Sequence, residues 1–141
     1  MSVDRGFLLR GVAFWPVLPA LAVANGVLRE TLLAPAFGAR AALALSGVLF
    51  VALVLGASAA FLALVRAPRD TRELWRLGAL WAVLALAFEV GVFGLIAGAP
   101  PVELLAALDP ATGNLFALAL LATLAGPRLM AAARLKARAR P

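Results

Sequence analysis

Residues 41–65, AALALSGVLFVALVLGASAAFLALV, decide the fold. About 25 consecutive residues carry no charge, and Arg40 and Arg66 close the run at its two ends. At 1.5 Å per residue a helix of this length reaches about 37 Å, more than the roughly 30 Å of a bilayer's hydrocarbon core. Small residues recur along it at four-residue spacing, Ala52, Gly56 and Ala60, a stripe suited to close packing by a neighbouring helix.

Three further apolar runs flank this one, at 11–28, 77–98 and 114–134. The sequence therefore predicts an all-α fold, a four-transmembrane-helix bundle formed by 1–141 as a single membrane domain. Composition agrees: 65% of the 141 residues are hydrophobic and 14% are charged, where a soluble domain has about a quarter charged. Pro16 and Pro19 should bend the first run. Its basic start, apolar core and Ala22-Val23-Ala24 also fit a cleavable signal peptide; we read it as a membrane helix.

Between the runs, residues 31–40 (TLLAPAFGAR) read as a connector with its turn at Pro35 and Gly38. Residues 66–76 (RAPRDTRELWR) form a polar loop in which Asp70 or Thr71 can cap the third helix. Trp75 and Trp81 near the start of that helix read as interfacial aromatics. Pro101 and Glu103 suggest a short interfacial helix within 99–113.

The charges orient the bundle. The net charge is +6, and of thirteen Lys and Arg all but Arg29 and Arg40 lie on the side shared by the amino end, the 66–76 loop and the tail. The positive-inside rule then assigns both termini to the cytoplasm. An Ala, Leu, Gly and Arg bias resembles GC-rich bacterial coding, so the expected location is a bacterial inner membrane. The basic residues flank apolar runs, a pattern for anionic lipids rather than nucleic acid. With no Cys and no His, thiolate chemistry, imidazole metal sites and histidine-ligated haem are excluded. No acidic cluster with ligand spacing occurs either, so neither metal nor cofactor is expected.

This orientation brings the polar residues of the spans into the outer half. Asn25 and Arg29, four apart, share one helix face, with Glu30 beside them. Ser46 lies near the outer end of the second span, and Thr112 and Asn114 at the mouth of the fourth. Gly78, Ala82, Ala85 and Glu89 follow at spacings of four, three and four, so Glu89 points into the bundle about 18 Å along its span. A charge at that depth costs about 2.5 kcal/mol or more, and the planar guanidinium of Arg29 is its expected partner. Glu30, about 100° further round the helix, is expected to cap the cluster or meet Arg40.

Two functions follow. The first is a non-enzymatic bundle whose polar cluster organises a homo-oligomer or a larger membrane complex. The alternative is a small transporter or channel for protons, cations or small solutes using Glu89 and Arg29. An enzyme is disfavoured, since one Glu and one Arg are thin machinery for acid–base chemistry.

The motifs NGVLRE at 25–30, AFE at 87–89, GN at 113–114 and GPR at 126–128 resemble those of a group of small bacterial four-span membrane proteins of unassigned function. That resemblance implies the four-helix membrane fold and no particular activity. Small multidrug transporters are similar in size, but their essential acid is mid-span in the first helix, where this chain has none before Glu30. Fluoride channels of similar length carry a Gly-rich first span and an Asn-bearing second span, and this chain has neither pattern.

Overall fold

The computed structural model describes residues 5–65, 70–96 and 114–139, together with 98, 100, 102, 106, 108, 109 and 111. Arg66, Arg69, Glu103, Thr112, Arg140 and the interfacial helix expected from Pro101 lie outside the described residues. Every regular element among the described residues is helical. Four helices are long and apolar enough to cross a membrane: Arg5–Phe37, Ala39–Val65, Thr71–Ile96 and Phe116–Arg138. Their outward surfaces are apolar: Val23, Val48, Val83 and Leu121 are each about 60% exposed. Contiguous apolar surface of this kind needs lipid around it.

Contacts between span ends show that neighbouring spans alternate in direction. Phe7, early in the first span, meets Phe61, late in the second, with ring centroids 5.6 Å apart. Leu115, at the start of the fourth, sits against Gly47, and Gly126, midway along it, against Ser58, so the fourth runs parallel to the second. The amino-terminal segment and the tail therefore leave the bundle at one end. The fourth span packs extensively along both the second and the third. Gly78 makes this possible, because a Cβ there would collide with the main-chain carbonyl oxygen of Leu124. Small residues let helix backbones approach in this way.

Proline shapes the first span as expected. The helix Arg5–Phe14 stops, a turn follows, and Val17–Leu28 resumes it. Pro19 offers no N–H to the carbonyl of Trp15, which instead accepts a tighter bond from the N–H of Leu18 at 2.9 Å.

The connector differs from the expectation. Residues 29–37 remain helical, as a π-helical stretch Arg29–Leu33 followed by Ala34–Phe37, and the chain turns only at Gly38. Its φ of +80° is open to glycine at little cost. The wider π register, in which the N–H of Ala34 bonds to the carbonyl of Arg29, accommodates Pro35 without a break. Arg29 and Glu30 thus lie about two turns inside the helix rather than at its end.

Three further expectations are corrected. Trp81 is fully buried, not interfacial, whereas Trp75 is exposed. Trp81 shares an inward face with Leu74, Leu77 and Gly78, and its indole N–H donates to the carbonyl of Gly11 at 2.9 Å. Asp70 stands at the N-cap of the third helix with extended backbone but makes no side-chain cap bond. The stripe Ala52, Gly56 and Ala60 faces outward, and nothing lies within 4 Å of a Cβ built at Gly56.

Candidate functional site

Away from the termini, the second half of the first span keeps extensive contact with the second span alone. A half-open cavity of about 360 Å³ occupies the resulting space and is bordered by all four spans. Five of the six side chains singled out in the sequence border it: Asn25, Arg29, Ser46, Glu89 and Asn114. Glu30 does not.

Each is positioned by local structure. Asn25 is buried on the first span, and its Nδ2 donates to the main-chain carbonyl of Ser46 at 3.0 Å, tying the first span to the second. This bond fixes the amide orientation, since the flipped form would set Oδ1 against another carbonyl oxygen. The Oδ1 of Asn25 is buried and has no donor. Ser46 turns its hydroxyl to its own helix, donating to the carbonyl of Leu43 at 3.1 Å. Asn114 Oδ1 accepts the N–H of Phe116 at 3.0 Å and so caps the start of the fourth helix.

The expected Arg29–Glu89 pair is not formed. Arg29 Nε instead donates to Glu30 Oε1 at 2.9 Å, and this is the ion pair found among the described residues. The long Arg29 side chain reaches round to its neighbour, so the angular separation that argued for Arg40 as the partner of Glu30 does not apply. Glu30 is itself well exposed on the helix surface. Glu89 is half-buried and has neither hydrogen-bond nor ion-pair partner among the described residues.

Both charged residues sit where an α-helix gives way to a π-helix. Arg29 opens the stretch Arg29–Leu33, and Glu89 is the last residue before Val90–Ile96. A π turn shifts the angular register, so the following side chains leave the direction set by the preceding helix. The face from Gly78 through Ala85 to Glu89 still points inward as the spacing predicted, with Ala85 and Glu89 on the cavity wall.

The sequence reading did not anticipate the aromatic lining. Trp15, Phe50, Phe88 and Phe116 border the cavity, and Trp15 meets Phe88 edge-on at 6.0 Å. Buried Thr123 is also on the wall, its hydroxyl donating to the carbonyl of Ala119 at 2.8 Å. The signal for Thr123 lay in its position, one helical face below Asn114 and Phe116; the aromatic residues carried no distinguishing pattern. Beyond Trp15 the bundle closes: Phe14, Phe61 and Trp81 lie with ring centroids 5.4 to 5.9 Å apart. Among the described residues no group of three acidic side chains is placed to hold a metal.

The chain matches no family model, no curated protein and no solved structure.

Proposed function

We infer that this chain is a non-enzymatic, multi-pass protein of a bacterial inner membrane that takes a small cation or polar solute into its cavity and moves it across the bilayer. One observation carries this reading. Glu89 borders a half-open cavity of about 360 Å³ without a partner, while Arg29 on the same wall is held by Glu30. A structural pair that merely orders the helices would have brought Arg29 and Glu89 together. An acid kept inside a membrane span at a cost of kilocalories marks an ion or substrate path by default.

The packed rings of Phe14, Phe61 and Trp81, lying beyond the cavity, favour a carrier over an open channel. The charge bias makes the cavity mouth outward and the termini cytoplasmic. Anionic lipids then meet the basic end, and the resemblance to small four-span bacterial proteins fits the same reading.

The outward stripe Ala52, Gly56 and Ala60 favours a second role, in which the bundle pairs with another copy or a larger membrane complex. The two roles are compatible. Transport is tested by cation and proton flux into proteoliposomes. Glu89→Gln should abolish flux while leaving the bundle folded. Undiminished flux in folded Glu89→Gln protein would contradict the assignment.

A further inference from the structure

The carrier reading leaves the solute unspecified, and the hydrogen-bonding inventory of the cavity narrows it. Several donors on the wall are committed to the protein itself. Ser46 and Thr123 hydroxyls donate to their own helices, Asn25 Nδ2 to Ser46, and Arg29 Nε to Glu30. Among the described residues two side-chain acceptors on the wall remain without donors, the Glu89 carboxylate and the buried Asn25 Oδ1. Asn25 is only 8% exposed, so its carbonyl oxygen cannot be satisfied by bulk water without the cavity itself supplying it. A buried acceptor left without a donor costs about 1 to 3 kcal/mol.

The rest of the wall is apolar and aromatic. Trp15, Phe50, Phe88 and Phe116 border the space, and an aromatic ring attracts a cation seated over its face. The Nη groups of Arg29 remain open to an anion, but an anion would stand in the same cavity as the unpaired Glu89 carboxylate. Calcium and magnesium take six or more oxygen ligands, and no group of three His, Cys, Asp or Glu among the described residues is placed to hold any metal ion.

We propose that the cavity binds a small organic ammonium ion with an apolar or aromatic body, its N–H groups donating to Glu89 and Asn25 Oδ1 and its carbon skeleton lying on the aromatic floor. The proposal rests on the cavity being a solute site. Cavities of this size accept ligands up to drug size, so an arylethyl amine is accommodated.

The full-length protein in detergent is titrated with three probes sharing one skeleton: phenylethylammonium, neutral 2-phenylethanol and phenylacetate. Phenylethylammonium should bind tightest, with the alcohol and the acid each weaker by about tenfold or more, the worth of a charge-assisted hydrogen bond. Glu89→Gln should remove that preference, and Asn25→Leu should weaken the ammonium while leaving the alcohol nearly unchanged. Equal binding of ammonium and alcohol, or preference for phenylacetate, would overturn the assignment. So would failure of all three probes. In that event Ala22→Cys, probed with a charged thiol reagent, separates the causes. A reactive Ala22→Cys cysteine leaves the cavity reading standing and the ammonium assignment lost. An inert one removes both.

Discussion

The two ends of this bundle solve the same packing problem in opposite ways. Near the termini, Phe7, Phe14, Phe61 and Trp81 fill the space between helices, and buried polar groups find partners, the Trp81 indole N–H the Gly11 carbonyl and the Ser58 hydroxyl the Val54 carbonyl. Near the other end the helices stand apart, the space is a cavity, and Asn25 Oδ1 and Glu89 lack partners. A membrane protein that sought only stability would repeat the first arrangement at both ends. The contrast is between a half that is packed and satisfied and a half that keeps unsatisfied polar groups around a cavity.

Substitutions can break or sharpen this contrast. The largest effect is expected at Gly78, where any larger side chain must displace the Leu124 backbone. Gly78→Leu should abolish the native bundle, read as loss of a cooperative unfolding transition in detergent. Trp81→Ala comes next, costing about 3 to 5 kcal/mol as a large buried aromatic truncated in a packed site. Phe88→Ala, on the cavity wall, should cost less than half as much, and equal costs would erase the distinction between the halves.

Smaller effects concern the charges and the outer stripe. Glu89→Gln should change stability by less than about 1 kcal/mol, because no ion pair is broken. Breaking a buried pair costs about 3 to 5 kcal/mol, so a loss of that size would mean Glu89 is paired after all. Gly56→Leu meets nothing within 4 Å and should alter the stability of the isolated chain by no more than about 0.5 kcal/mol. The same substitution should reduce any self-association, measured by light scattering in detergent, if the stripe pairs copies of the chain.

Much of the architecture was legible because lipid is an unforgiving solvent. Four apolar runs sufficed for the four helices, and the helical period sufficed to turn Glu89 and Ala85 inward. Asn25, Ser46, Glu89 and Asn114, which their depth along the spans put in the outer half, border one cavity. What could not be read depends on distances between helices. The π register at Arg29–Leu33 carries the first span past Pro35 to Phe37, and no local residue preference signals it. Arg29 found Glu30 instead of Glu89 because the cavity lies between the first and third spans. Trp81 and the stripe at Ala52, Gly56 and Ala60 were misread for a common reason: amphipathic or small residues look alike in sequence whether they face lipid or protein.

The central claim is that one half holds an accessible polar cavity and the other half is sealed. The absence of cysteine in the chain makes a direct test available. Ala22→Cys and Ala85→Cys line the cavity, and Ala57→Cys lies in the packed half. Each is exposed to a charged, membrane-impermeant thiol reagent in oriented vesicles. The account predicts that the two cavity positions react from the outer face and that the Ala57→Cys position reacts only after unfolding. Cavity positions as inert as the Ala57→Cys position, or reaction at all three, would contradict it.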